Sequence, residues 1–254
     1  MPPAPDLDAS APQGADNRGM RSESIRLLKT LPHPCGYYGE RVAQNLVIDP
    51  LATDLPEVYE FALTRGYRRA GGHIYRPACA RCQACVPARL PVAEFSPDRS
   101  QRRCLRRNAD LRMRDAPATH TDEAFDLYRR YLAARHPGGG MDDAEHEDFS
   151  RFLTSPWSPT RFLEFRLDGR LLAVAVTDVT RHGLSSVYTF YAPDEAERGL
   201  GTFAILSQVD LTRRMGLPHL YLGYWIDGHP KMSYKSRFRP LELMRGARWQ
   251  RADD

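Results

Sequence analysis

The sequence predicts an α+β fold in two unequal parts, and three observations predict it. The first part, residues 23–115, holds short extended stretches, one capped amphipathic helix and all five cysteines. In the second, residues 116–254, apolar runs alternate with two tight turns between 161 and 191, the pattern of an antiparallel meander. A glycine turn then opens an apolar helix, which Gly216-Leu-Pro218 closes before a further strand.

Taken in order, residues 1–22 are rich in Pro, Ala, Asp and Gly without apolar periodicity. Such a stretch cannot bury enough surface to offset its chain entropy, so a disordered tail is expected. Turn formers and aromatics surround Cys35 in residues 31–39, which read as a rigid loop. The Val, Leu and Ile of 42–49 suit a strand. Asp54 is the expected N-cap of a helix, with Glu57 three residues on, Leu55, Val58, Tyr59, Ala62 and Leu63 on one face and Gly66 as its stop. Residues 67–75 and 85–95 read as extended stretches, with Pro77, Pro87 and Pro91 confining their pairing to sheet edges.

In the second part Thr121 caps a helix whose apolar face is Ala124, Phe125, Leu127, Tyr128, Tyr131 and Leu132, stopped by the His-Pro-Gly-Gly-Gly run at 136–140. A second helix is expected over 144–153. Strands follow at 161–167, 170–180 and 184–191, joined by turns at Asp168-Gly169 and Arg181-His182-Gly183. After Arg198-Gly-Leu-Gly201 come a helix through Phe203, Ile205, Leu206, Val209 and Met215 and a strand at 219–226. Meander, glycine turn, helix and strand in that order resemble the core of GNAT-type acyltransferases. The turn makes sense as an anion cradle, because helix N-terminal amides are unpaired. Glycines also simply start many helices, and Phe203 stands where acetyl-CoA enzymes keep a small residue.

Composition excludes several classes. No run of about 18 apolar residues and no basic-then-apolar leader is present, so neither a membrane span nor secretion is indicated and the cytoplasm is expected. An odd number of cysteines in such a chain argues against a disulfide framework. Cys79-x-x-Cys82-x-x-Cys85 instead brings three thiols towards one centre, with Cys35 as a fourth candidate ligand for zinc or an iron–sulfur centre. The other reading is three reduced thiols packing a knuckle.

The net charge of +4 identifies no partner, but its distribution does. From Arg99 to Arg114 there are seven arginines against one aspartate, including Arg99, Arg102, Arg103, Arg106 and Arg107. A solvated face mixes signs, whereas such density calls for an anionic partner, and RNA phosphate is the natural one. Residues 224–240 pack aromatics and cations at a strand's C-terminal end: Tyr224, Trp225, Lys231, Tyr234 and Lys235 can stack on a terminal adenosine and hold phosphate, or form a rim of snorkelling side chains. No Ser-His-Asp, HExxH or Walker pattern is present, and the eight histidines are scattered.

Five stretches then converge: Pro34-Cys-Gly-Tyr-Tyr38; Gly66-Tyr-Arg-Arg-Ala-Gly71; Tyr75-Arg-Pro-Ala-Cys79 with Cys82, Cys85, Pro87 and Arg89; Ser100-Gln-Arg-Arg103 with Arg107-Asn-Ala-Asp110; and Leu222-Gly-Tyr-Trp-Ile226 with Lys231-Met-Ser-Tyr-Lys235. Together they resemble the bacterial branch of the arginyl-tRNA:protein transferase superfamily, the aspartate/glutamate leucyltransferases. The resemblance implies a GNAT-like catalytic domain behind a cysteine-containing α+β region. It also implies leucyl-tRNA as donor, proteins with N-terminal Asp or Glu as acceptors, and products degraded through the N-degron pathway.

Eukaryotic relatives carry Cys-Gly-Tyr-Cys, linked there to an iron–sulfur cluster. Tyr38 replaces the second cysteine here, which fits the leucine-using branch and weakens the case for a cluster. Ester aminolysis requires no cofactor. On this reading Arg68, Arg69, Arg76 and Arg89 are candidates for the acceptor's carboxylate, because bidentate pairing explains a preference for Asp and Glu. Lys235, Tyr234 and Tyr224 are the catalytic candidates, while the arginine run, Trp225 and Lys231 grip the tRNA. Arginine as the transferred residue, an acetyl-CoA-dependent N-acetyltransferase and a non-enzymatic RNA-binding module are the alternatives.

Overall fold

A computed structural model describes residues 25–135 and 145–252. The expected disordered tail, residues 1–22, and the helix stop at 136–140 lie outside them. The chain opens with β1 (Leu27–Lys29), β2 (His33–Pro34), β3 (Val42–Ala43), β4 (Asn45–Ile48), α1 (Leu55–Thr64), β5 (Arg68–Ala70) and β6 (His73–Pro77). Four of these strands form a small sheet in the order β1-β4-β6-β5, and β2 pairs with β3. Helix α1 begins after Asp54 as expected, but Asp54 is left-handed (φ 55°) and its side chain caps nothing, so Pro56 sets the first turn. It ends as a glycine stop should, with the Gly66 and Tyr67 amides returning to Leu63 and Ala62.

Next come β7 (Val86–Pro91), α2 (Arg99–Arg107), β8 (Arg112–Pro117), α3 (Asp122–Arg135), α4 (His146–Leu153), β9 (Thr160–Leu167), β10 (Arg170–Thr180) and β11 (Gly183–Tyr191). The chain closes with α5 (Leu200–Arg214), β12 (His219–Trp225), β13 (Glu242–Arg245) and β14 (Arg248–Arg251). Eight strands form one sheet, ordered β14-β13-β7-β12-β11-β10-β9-β8. The predicted meander is β9–β10–β11, and α5 then returns the chain to β12, parallel to β11. This is the GNAT-like order. Thr121 accepts the Ala124 amide at 3.2 Å, as its capping role requires.

The edge placement expected from Pro77, Pro87 and Pro91 is overturned for both strands: β6, which ends at Pro77, lies between β4 and β5, with Pro77 paired to Asn45 of β4 alone. Strand β7 lies inside the sheet, between β12 and β13, despite Pro87 and Pro91. The reason is local: β13 pairs with β7 only at Arg89 and Ala88, so each proline sits beyond that short ladder, in an edge-like position. Through β7 and β8, residues 23–115 thus supply two strands of the sheet built mainly from 116–254.

The small sheet is fastened to the large one by buried polar groups. Arg69 of β5 reaches Asp178 of β10 through Nε and Nη2, both at 2.7 Å, with neither side chain exposed. Tyr59 donates to the same carboxylate at 2.8 Å, and Arg69 also donates to Thr160 Oγ1 and to the Leu153 carbonyl. Such a pair is tolerable only when every polar atom is answered, and here the partners are present. Around the tie pack Ile48, Leu63, Ile74 and Tyr221. Larger clusters fill the space under α3 and α4 (Tyr128, Phe149, Phe165) and under α5 (Leu90, Leu206, Leu220).

Candidate active site

Strands β11 and β12 are paired only at Leu184–Leu220 and Ser185–Tyr221. Beyond these positions they part, and parallel strands that separate at their carboxyl ends open a crevice where ligands commonly lie. Arg68 of β5 enters it. Its Nη2 donates to the Val187 carbonyl at 2.9 Å, and its guanidinium carbon lies 6.0 Å from the Tyr224 ring centre. A Cβ at Gly223 would come within 2.9 Å of Nη1, and Gly223 has φ 74°, so glycine admits the cation on both counts. The cavity left beside it is about 10 Å³, the room of one water.

Burial opposes the charge on Arg68, but Tyr75, Tyr37 and Tyr224 outweigh it and raise its pKa. No carboxylate pairs with Arg68 among the described residues, in contrast to Arg69 and Arg89. Gly223→Ala is expected to displace the guanidinium and cost about 1–2 kcal/mol through its left-handed backbone. Thermal unfolding checks this.

Lys235 belongs to a 3₁₀ turn, Ser233–Arg237, and is only 3% exposed. Its Nζ donates to the Tyr224 carbonyl and lies 3.5 Å from Met232 Sδ. Burial, and then the charge of Arg68, push its pKa down to about 7, with Cys85 acting in the opposite sense. A lysine in this position exchanges a proton near neutrality. Tyr234, 41% exposed, sets its ring 5.7 Å from Nζ. Cys85 adjoins the same group, its thiol pushed up to about 11 by burial and then by Cys35, Cys82 and Cys79.

The remaining sequence candidates divide. Arg69 is sealed on Asp178 and cannot meet a substrate. Arg89 is likewise committed, to Glu242 at 2.7 Å and to the face of Trp249 at 4.4 Å. Arg69 is corrected to a structural role, because its whole fork is answered, whereas Arg89 gives its carboxylate only Nε and is held there over Trp249. Arg76 is exposed, over the Tyr67 ring. Tyr224 is buried, its hydroxyl directed at the Gly66 and Tyr75 carbonyls, so it shapes the crevice rather than reaching solvent. Trp225 is half-buried against the α5 core with its indole nitrogen unpartnered, and Lys231 is exposed.

The arginine run forms α2, started by a capping box between Asp98 and Gln101. Arg99, Arg102, Arg103, Arg106 and Arg107 are all exposed, while Gln101, Cys104 and Asn108 face inward. Gln101 Nε2 also donates to the Arg237 carbonyl at 3.0 Å, which fastens α2 to the Lys235 turn. The glycine turn before α5 is not an open anion cradle: Arg198 is held by both oxygens of Asp110, and α2 covers the turn through Cys104 and Asn108.

Nor do the cysteines form a closed ligand set as they stand. Cys79 Sγ points at the Gln44 carbonyl and Cys82 Sγ at Arg41, and no three of the four sulfurs lie within 4.8 Å of one another.

Three site residues escaped the sequence reading. Tyr37 and Tyr75 face Arg68 electrostatically, and both stand in stretches already singled out. His229 was passed over among scattered histidines. Its Nδ1 accepts the Lys231 amide at 3.2 Å, so its proton sits on Nε2, which meets the Tyr37 carbonyl at 3.2 Å. The Tyr37 and Tyr38 rings stand edge-on to it at 5.6 and 5.5 Å. His229 thereby latches the Cys35 loop onto the loop preceding Lys235, a contact between residues 192 apart in sequence that no local pattern announces.

The chain matches family models described as "Arginine-tRNA-protein transferase, N terminus" over residues 33–103 and "Arginine-tRNA-protein transferase, C terminus" over 123–245. It is 57% identical over 242 residues to an "Aspartate/glutamate leucyltransferase" of Stenotrophomonas maltophilia (strain R551-3), covering 93% of this chain and 96% of that one. With the protein of the same name from Xylella fastidiosa (strain 9a5c) it shares 52% over 234 residues, 90% of this chain and 92% of the other. Among solved structures, the C-terminal domain of a putative lysylphosphatidylglycerol synthetase from Agrobacterium fabrum overlaps 65% of this chain and 61% of its own at TM-score 0.46 and 17% identity, and nothing rests on that likeness.

Proposed function

The chain belongs to the arginine-tRNA-protein transferase family, and on that premise we propose that it transfers leucine from leucyl-tRNA to the α-amine of proteins beginning with Asp or Glu. The observation that carries the reading is Arg68, a cation in the crevice between β11 and β12, ringed by tyrosines and lacking a carboxylate of its own. An acceptor's first side chain supplies that carboxylate, and charge-assisted pairing separates Asp and Glu from their amides. The closed glycine turn disfavours an acetyl-CoA donor.

In the reaction the acceptor's neutral amine forms a bond to the leucyl carbonyl carbon, the ester C–O bond breaks, and the amine proton passes to the departing ribose oxygen. An α-amine of pKa about 7.7–8.0 is roughly one quarter to two fifths neutral near pH 7.5. Lys235, poised near 7, takes the proton and returns it to the ribose. Tyr234 beside it offers a face for the terminal adenosine.

Helix α2 presents its arginines to the acceptor stem. Changing Arg99, Arg103 and Arg106 together to Gln should weaken tRNA binding and flatten its salt dependence by about 2–3 log–log units, read by filter binding across salt concentrations. The new N-terminal leucine marks the acceptor for degradation in the cytoplasm. No helix among the described residues is long and apolar enough to cross a membrane. The deciding experiment is transfer of labelled leucine, beside arginine, from charged tRNA to peptides beginning Asp, Glu, Asn and Ala. Leucine on Asp and Glu is expected, with Asn used only weakly and Ala not at all; arginine in its place would reassign the donor.

A further inference from the structure

Helices α3 and α4 begin beside one another. His120 stands two residues before α3, Asp122 is its first residue, and His146 is the first residue of α4. One ligand atom from each of these three lies within 4.8 Å of the others, and all three side chains are exposed. Nε2 of His120 faces Nδ1 of His146 at 2.5 Å, nearer than the roughly 2.7–3.2 Å of ordinary N–H hydrogen bonds. The rings are held there by the core: Phe125 stacks on His146 at 3.9 Å, and Phe149 stands edge-on to His120 at 5.4 Å. Neighbouring acids in α3 are occupied, Glu123 by Arg166 and Asp126 by Arg130, while Asp122 has no basic partner among the described residues.

We propose that His120, Asp122 and His146 bind a divalent transition-metal ion of the zinc class, which clamps the start of α3 to the start of α4. Two imidazoles and one carboxylate, drawn from the starts of two helices, are a donor set for zinc, nickel or cobalt, whereas magnesium and calcium prefer oxygen alone. Metal–nitrogen bonds of about 2.0–2.1 Å at a tetrahedral angle place the two nitrogens about 3.3 Å apart. The exposed rings reach this by opening slightly, and water completes the coordination. The other end of α4 supports the crevice: the Leu153 carbonyl accepts from Arg69 and the Phe152 carbonyl from the Gly71 amide. A cation at the first turn therefore stiffens the helix on which the strand carrying Arg68 leans.

The test is titration of the metal-stripped full chain with Zn²⁺ and Co²⁺, beside His120→Ala, His146→Ala and a Cys79→Ser/Cys85→Ser double variant. Expected is one cation per chain at micromolar affinity or tighter, kept by the cysteine variant and weakened at least about a hundredfold by either histidine change. The cobalt spectrum should lack intense sulfur charge-transfer bands, and zinc should raise Tm by roughly 5 °C in the wild type alone among the histidine set. Metal-free melts of the histidine variants should match the wild type, which excludes a folding defect. Absence of uptake by the wild type, or uptake lost with the cysteines and kept in His146→Ala, overturns the proposal.

Discussion

Arg68→Gln is expected to lower kcat/KM for acceptors beginning with Asp or Glu by about 10²–10³-fold, while leucyl-tRNA binding stays unchanged. The magnitude is that of a desolvated carboxylate losing its bidentate partner, about 3–4 kcal/mol. Glutamine keeps a donor for the Val187 carbonyl, which Arg68 now serves at 2.9 Å, and leaves Gly223 unobstructed, so the crevice should keep its shape. Weak transfer to Asn-initiated peptides should be unaffected, which makes the ratio between Asp and Asn acceptors the decisive readout. A variant that lost both equally would show Arg68 to be a scaffold, and the carboxylate would then have to be sought at Arg76, the exposed cation on β6.

Lys235→Met is expected to lower kcat by about 10²–10⁴-fold with little change in KM, since it removes a proton carrier rather than a binding group. Stability supplies an independent check. Burial pushes the Lys235 pKa down to about 7 in the fold against an ordinary lysine value of 10.5, so between those values the unfolded chain binds the extra proton. Stability gained from this group therefore rises with pH from about 7 towards 10.5 and is flat below 7. Denaturant unfolding at several pH values should show that slope in the wild type and its loss in Lys235→Met. Lys235→Arg separates the two chemical roles: a permanent cation that restored most of the rate would make the residue an oxyanion stabiliser instead of a proton carrier.

Much of this architecture was legible from local pattern. The meander was announced by Asp168-Gly169 and Arg181-His182-Gly183, and α3 by Thr121, because turn and cap chemistry is decided within a few residues. Edge placement of β7 failed because a proline's tolerance depends on where the neighbouring strand stops, which the sequence of β7 does not record. The β13–β14 hairpin was missed for its brevity and charge. In the site, four arginines of similar sequence context met four different fates. Asp178, 109 residues from Arg69, and Glu242, 153 residues from Arg89, decided two of them. Long-range pairing of charges leaves no periodic trace, so composition could nominate the cations but not choose among them.

Gln101 joins two tasks in one amide, completing the cap of α2 and holding the Arg237 carbonyl of the Lys235 turn. The arginine-bearing helix and the turn that carries Lys235 are thereby parts of one linkage. Cutting that one amide, as in Gln101→Leu, loosens both ends at once: the start of α2 loses the bond to the Asp98 amide, and the Lys235 turn loses its anchor at the Arg237 carbonyl.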